Sequence, residues 1–161
     1  MNMIESKLFK INPRYKDKYK DLLIRYAQFG GGAEADKFIN SRSFSNVYEF
    51  YIYAFFIGLN RDVPSEVLSE DKSSTFWEME NWKPKSLVNY LLSCSIAKSD
   101  FDMVAIEYMN ESEATEEIRK VKSTIEAYAN GGFSVIKNEV EKDPEFASDP
   151  NFFIRLLMDS E

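Results

Sequence analysis

The chain is 161 residues long, 44% hydrophobic, 15% aromatic and 29% charged, with a formal net charge of −7. That length suits one domain able to bury about 68–70% of the surface its unfolded form exposes, and the composition excludes a disordered chain. The absence of histidine excludes zinc sites and Ser-His or Cys-His nucleophile pairs in their ordinary forms, and the acidic balance excludes a surface that is a nucleic-acid platform throughout.

A single cysteine, Cys94, cannot close an intramolecular disulfide, and the opening M-N-M-I-E-S-K has neither an apolar signal core nor a cleavage pattern. A reducing, cytoplasmic setting is the expectation that follows. Charge is unevenly spread. Residues 1–25 carry seven basic and three acidic side chains, a balance of +4 against −7 for the whole chain, which leaves −11 for the rest.

Residues 1–12 read as a flexible basic leader and residues 13–161 as a single helical domain. Pro13 suits a first helical turn. Tyr15, Tyr19, Leu22, Leu23, Tyr26 and Phe29 then recur at a 3.6-residue period, which predicts a helix over residues 13–29. Lys16, Lys18, Lys20 and Arg25 fall largely off that stripe, where they face solvent or a partner. Gly30, Gly31 and Gly32 end the helix before a short one at 33–39. With no Lys-Ser or Lys-Thr after the triplet and no strand before it, a helix break is favoured over a phosphate cradle.

Residues 44–59, F-S-N-V-Y-E-F-Y-I-Y-A-F-F-I-G-L, are the most apolar run. The run is too short to cross a bilayer, which needs about 20 residues, and too long for a typical strand. Asn46 and Glu49 stand three apart as a capping pair does. A central buried helix, apolar nearly all round and stopping at Gly58, is predicted. A polar loop containing Pro64 follows over 60–75. Phe76, Trp77 and Trp82 then cluster among Glu78, Glu80, Lys83 and Lys85, and the acidic neighbours favour lid-like packing over the central helix rather than base stacking.

Pro84 opens a helix with a wide apolar face of Leu87, Val88, Tyr90, Leu91, Leu92, Cys94 and Ile96. Cys94 reads as a small hydrophobe of that face. Ser99 and Asp100 are placed to cap a short helix holding Phe101, Met103, Val104, Ile106, Tyr108 and Met109. Residues 112–130 give the cleanest amphipathic pattern, with Ile118, Val121, Ile125 and Tyr128 inward. Glu113, Glu116 and Glu117 precede Arg119, Lys120 and Lys122, as the helix dipole favours. That helix is expected to stop at Asn130, Gly131 and Gly132, with a new one from Phe133 to about Asp143. A last helix after Asp149 and Pro150 carries Phe152, Phe153, Leu156 and Leu157. The fold class is therefore all-α, a single compact helical domain of about six to eight helices around a central apolar helix.

No acidic group has a diagnostic spacing. Asp100 and Asp102 lack the remainder of a calcium loop, and Glu113, Glu116 and Glu117 are what dipole complementation alone produces. No catalytic, cofactor or metal residue is assigned, and the expectation is a protein that is not an enzyme. A hydrolase using Glu78, Glu80, Asp100 and Asp102 remains as a third reading, which requires them to cluster in space.

Three patches carry a family resemblance: F-S-N-V-Y-E-F-Y-I-Y-A-F-F-I-G-L-N-R-D-V-P at 44–64, P-x-x-L-x-N-Y-L at 84–91, and E-A-Y-A-N-G-G-F-S-V-I at 126–136. In order and spacing they resemble the small Dnd system-associated proteins found beside bacterial DNA phosphorothioation genes. The resemblance implies an intracellular accessory of a DNA-modification or defence system, with no catalytic or binding residues to carry over. The expected partner is another protein of such a complex, met through Arg61, Phe76, Trp77 and Trp82. The alternative is DNA, its phosphates contacted by Lys7, Lys10, Arg14, Lys16, Lys18 and Lys20 without base readout. Neither a membrane nor a cofactor is expected.

Overall fold

The apolar periodicity of the sequence translates into helices packed on one crossing. The computed structural model describes residues 2–27 and 43–158. Within them the chain forms seven α-helices: α1 (Met3–Phe9), α2 (Lys20–Tyr26), α3 (Val47–Arg61), α4 (Lys85–Lys98), α5 (Glu111–Lys142), α6 (Pro144–Ala147) and α7 (Phe152–Met158). Short 3-10 turns lie between them. The two short strands, β1 (Tyr15–Lys16) and β2 (Ser73–Ser74), pair antiparallel. Among the described residues no helix is long and apolar enough to cross a membrane. The predicted turn at Gly30–Gly32 and the helix at 33–39 lie outside the described residues.

The run at 44–59 does form the central helix. Nine of the 15 residues of α3 are buried, and Tyr53, Phe56 and Leu59 are half-buried, so apolar contacts surround it. Its ends differ from the expectation. Asn46 occupies the N-cap without a side-chain cap, and Glu49 instead accepts a 2.8 Å bond from Ser45 Oγ. Gly58 does not stop α3. The helix runs on to Arg61, and Asp62 closes it in the left-handed conformation at φ 52°, its N–H donating to the carbonyls of Gly58 and Leu59.

Gly58 has another task, which also explains the larger correction. The sequence predicts two helices separated at Gly131 and Gly132, whereas α5 runs unbroken through both for 32 residues. A Cβ on Gly132 would lie 1.7 Å from the Ala54 carbonyl oxygen, and one on Gly58 would lie 1.9 Å from that of Tyr128. The glycines mark where the backbones of α3 and α5 touch. Around that contact Ala54, Phe55, Ala129 and Phe133 are fully buried. A capping box starts α5: Asn110 Oδ1 accepts from Glu113 N, and the Glu113 carboxylate accepts from Asn110 N.

The helix predicted over 13–29 is broken. Tyr15, Tyr19, Leu22, Leu23 and Tyr26 are all buried as the stripe requires, yet the backbone is extended at β1, makes a 3-10 turn at Asp17–Tyr19, and becomes α-helical only at Lys20. Long-range partners satisfy the extended segment. Asn130 Oδ1 accepts from Lys16 N at 2.8 Å, Asn130 Nδ2 donates to Arg14 O at 3.1 Å, and Asp17 N donates to Lys72 O at 2.9 Å. Ahead of it, where a leader is expected, α1 is capped by Asn2 and lies against α5, and Leu8 and Ile11 are buried in the core.

Two further differences bear on the surface. On α4 the buried face is narrow, made of Val88, Leu91, Leu92 and Ser95, while Leu87 and Tyr90 are exposed. The short α-helix expected after Asp100 is replaced by a 3-10 turn, Ala105–Tyr108, because Asp102 Oδ1 accepts from the N–H groups of Val104 and Ala105 and fixes an irregular start.

Candidate functional site

Among the described residues the most buried charged side chain sits where the first segment meets α5. Glu126 is 2% exposed, and its Oε2 accepts from Arg14 Nε at 2.8 Å and from Arg14 N at 2.9 Å. Its Oε1 accepts from Arg14 Nη2 at 2.9 Å. Tyr51 Oη donates to Arg14 O at 2.8 Å, and Asn130 Nδ2 donates to the carbonyls of Arg14 and Glu126. The bond to Glu126 holds the Arg14 pKa above its ordinary value. Burial raises that of Tyr51 well above 10.0. A carboxylate bound this way, facing a neutral phenol and a paired guanidinium, is a clamp that holds residues 14–16 on α5 rather than a free base.

The six basic residues proposed for phosphate contact do not form one stripe. Arg14 is committed to Glu126. Lys16 is buried, its Nζ donating to Ser65 Oγ at 2.8 Å and lying 3.8 Å from Asp71. Lys7 and Lys10 reach Glu111 at 3.6 Å and Glu80 at 3.9 Å. Lys18 leans over the Tyr19 ring and Lys20 is exposed at the start of α2.

The aromatic surface also turns inward. Trp82 is fully buried, stacked on Phe76 at 5.5 Å and donating from Nε1 to Trp77 O. Phe76 also packs against Tyr15 and Tyr51. Phe76 is half-buried, and Trp77 is the most open of the three at 36% exposed. Arg61 donates from Nη2 to Leu156 O at 3.1 Å and so ties α3 to α7. The cluster is lid-like packing on α3, and of the expected contact surface Trp82 is core. Among the acidic candidates Glu80 faces Lys10 and Asp102 caps its own turn. Among the described residues no three Asp, Glu or Cys side chains gather closely enough to hold a metal ion.

What the residue patterns missed lies at 101–109. Met103, Val104 and Tyr108 are 63%, 83% and 85% exposed, and no residue of 101–110 is buried. Asp102 and a 3.4 Å bond from Lys120 Nζ to Asp100 O hold this apolar segment in place. A signal was present: Phe101, Met103, Val104, Ile106, Tyr108 and Met109 are spaced by one or two residues, which is not a helical period.

No protein-family model, curated protein or solved structure matches this chain.

A smaller exposed apolar group, Ile154, Leu157 and Met158, lies on α7. Grooves between elements carry charged side chains in their lining. One, of about 510 Å³, runs between α1 and α5 and is lined by Lys7, Lys10, Arg14, Arg119 and Lys122.

Proposed function

We propose that this chain is a non-catalytic protein-interaction module, an accessory of a bacterial DNA phosphorothioation or related defence system, and that residues 101–109 are its contact surface. The observation that carries the interaction reading is the exposure of Met103, Val104 and Tyr108 on a segment without a buried residue. Each Å² of apolar surface left in water forgoes about 25 cal/mol, and grouped exposure of this kind marks binding surfaces. The assignment to a defence system is supported by the resemblance of 44–64, 84–91 and 126–136. Those stretches touch one another: Gly58 meets Tyr128 and Gly132 meets Ala54 inside the fold, and Phe56 stacks on the exposed Tyr90 at its surface. Direct DNA binding by the first 25 residues is the weaker reading, since Arg14 and Lys16 are engaged inside the fold.

The test is comparative capture from native cells, using the tagged chain and its Val104→Asp/Tyr108→Asp variant. The expected result is a protein encoded beside DNA phosphorothioation genes that is retained by the first and lost from the second, with equal far-ultraviolet circular dichroism for both. Equal retention by both contradicts the surface. A partner unrelated to DNA modification removes the assignment to that system and leaves the interaction.

A further inference from the structure

The groove between α1 and α5 gathers positive charge. Lys7 and Lys10 stand one turn apart on one wall, Arg119 and Lys122 one turn apart on the other, and Arg14 stands beside them, oriented by Glu126. Ile11 and Ile118, both buried, add apolar surface. Five cations against one carboxylate give the lining +4, which on a chain of −7 leaves −11 for everything else.

Three of the cations have partners that yield easily. Glu111, Glu80 and Glu116 lie 3.6, 3.9 and 3.0 Å from Lys7, Lys10 and Arg119, and all three carboxylates are exposed. Solvated pairs of this kind are worth about 0–1 kcal/mol, so an anion in the groove replaces them at little loss. Lys122 has no ion-pair partner among the described residues. Asn12, whose Oδ1 is buried and lacks a hydrogen-bond partner, is a further residue of the lining.

We infer that this groove binds a compact small molecule bearing more than one phosphate group. Its volume of about 510 Å³ falls within the range of small-ligand sites, about 300–1,000 Å³. Converging ammonium and guanidinium groups suit a multiply charged oxyanion. A long nucleic-acid strand fits less well: it would leave the +4 groove for a body of −11, and no aromatic side chain lines the groove to stack a base. The site is separate from residues 101–109, so its fate is independent of the interaction surface.

The experiment is titration calorimetry with inorganic tripolyphosphate at low salt on the whole chain, on Arg119→Gln/Lys122→Gln, and on Lys137→Gln, about four turns further along α5. The expected result is saturable one-to-one binding that falls by about tenfold or more in the double variant. It is unchanged in Lys137→Gln and weakens as salt is raised. The substituted side chains lie at the surface, and unchanged circular dichroism will show that the fold is kept. Absence of saturable heat at low salt, or binding indifferent to the double variant, overturns the inference. A single-stranded oligonucleotide or a glutamate-rich peptide that binds more tightly than tripolyphosphate, and loses affinity in the same variant, also overturns it by assigning the groove to that class.

Discussion

Replacing Gly132 by alanine probes the contact on which the fold is built. At an ordinary position inside a helix this substitution stabilises by about 1 kcal/mol, because glycine loses more backbone entropy on folding. Here the added methyl carbon would stand 1.7 Å from the Ala54 carbonyl oxygen, 2.5 Å from its carbonyl carbon and 2.9 Å from its Cα, all backbone atoms. Ordinary contact between such atoms begins near 3.4 Å, so α3 and α5 must part by about 1.5–2 Å for the methyl to reach a normal separation. Parting opens the seam around Ala54, Phe55, Ala129 and Phe133, none of which is exposed. Overpacking of a core costs about 1–3 kcal/mol, occasionally more, and two rigid helices forced apart fall at the upper end. The clash outweighs the propensity gain, and a net loss of about 2 kcal/mol or more is expected. Urea unfolding followed by circular dichroism reads this as a lower midpoint at an unchanged slope. Gly58→Ala should behave similarly, and Gly131→Ala should cost less because its neighbour is Val63 O in the loop after α3. A Gly132→Ala protein as stable as the parent, or more so, would refute the close crossing.

Other consequences follow from the same geometry. Arg14→Ala leaves the Glu126 carboxylate buried with the Arg14 backbone N–H as its remaining donor from that segment. The expected loss is about 2–4 kcal/mol by chemical denaturation, part of it recovered by adding Glu126→Gln, which removes the buried charge. Burial raises the pKa values of Tyr51 and Tyr53. Both phenols therefore hold their protons more tightly in the folded chain, and this contribution is fully present below pH 10 and lost as pH rises beyond it. Stability measured from pH 8 to 11 should fall at the alkaline end, and less steeply in Tyr53→Phe, which also gives up the 2.6 Å bond to Phe153 O. Asn110→Ala removes the capping box of α5 and should cost about 1 kcal/mol, with faster amide exchange in the first turn of that helix.

What could be read from the sequence was whatever depends on composition and local period. The apolar run of α3 is helical because its hydrophobic residues surround the axis, and Phe76 and Trp82 pack inward as their acidic neighbours suggested. The errors share a cause, which is that the deciding partner lies far away in the chain. Gly131 and Gly132 send the same local signal as a helix stop, and only Ala54 and Gly58 on α3, which meet Gly132 and its turn, and Val63 just beyond α3, which meets Gly131, make them points of close backbone approach. The stripe at 15–26 is correctly buried, but its helical start yields to Asn130 and to β2, more than 50 residues distant. Arg14 and Lys16 look solvated until Glu126 and Ser65 are brought to them. Residues 101–109 read as a short helix capped by Ser99 and Asp100, although the spacing of their apolar side chains lacked a helical face.

The measurement closest to the proposed role is hydroxyl-radical footprinting of the chain alone and in the complex isolated from native cells, followed at Met103 and Tyr108. Both side chains are open to solvent in the isolated chain and should oxidise readily there. Strong protection of both in the complex, with Met158 on α7 and Trp77 little changed, is the expected result. Unchanged oxidation of Met103 and Tyr108 in a complex that protects other side chains would contradict residues 101–109 as the contact surface.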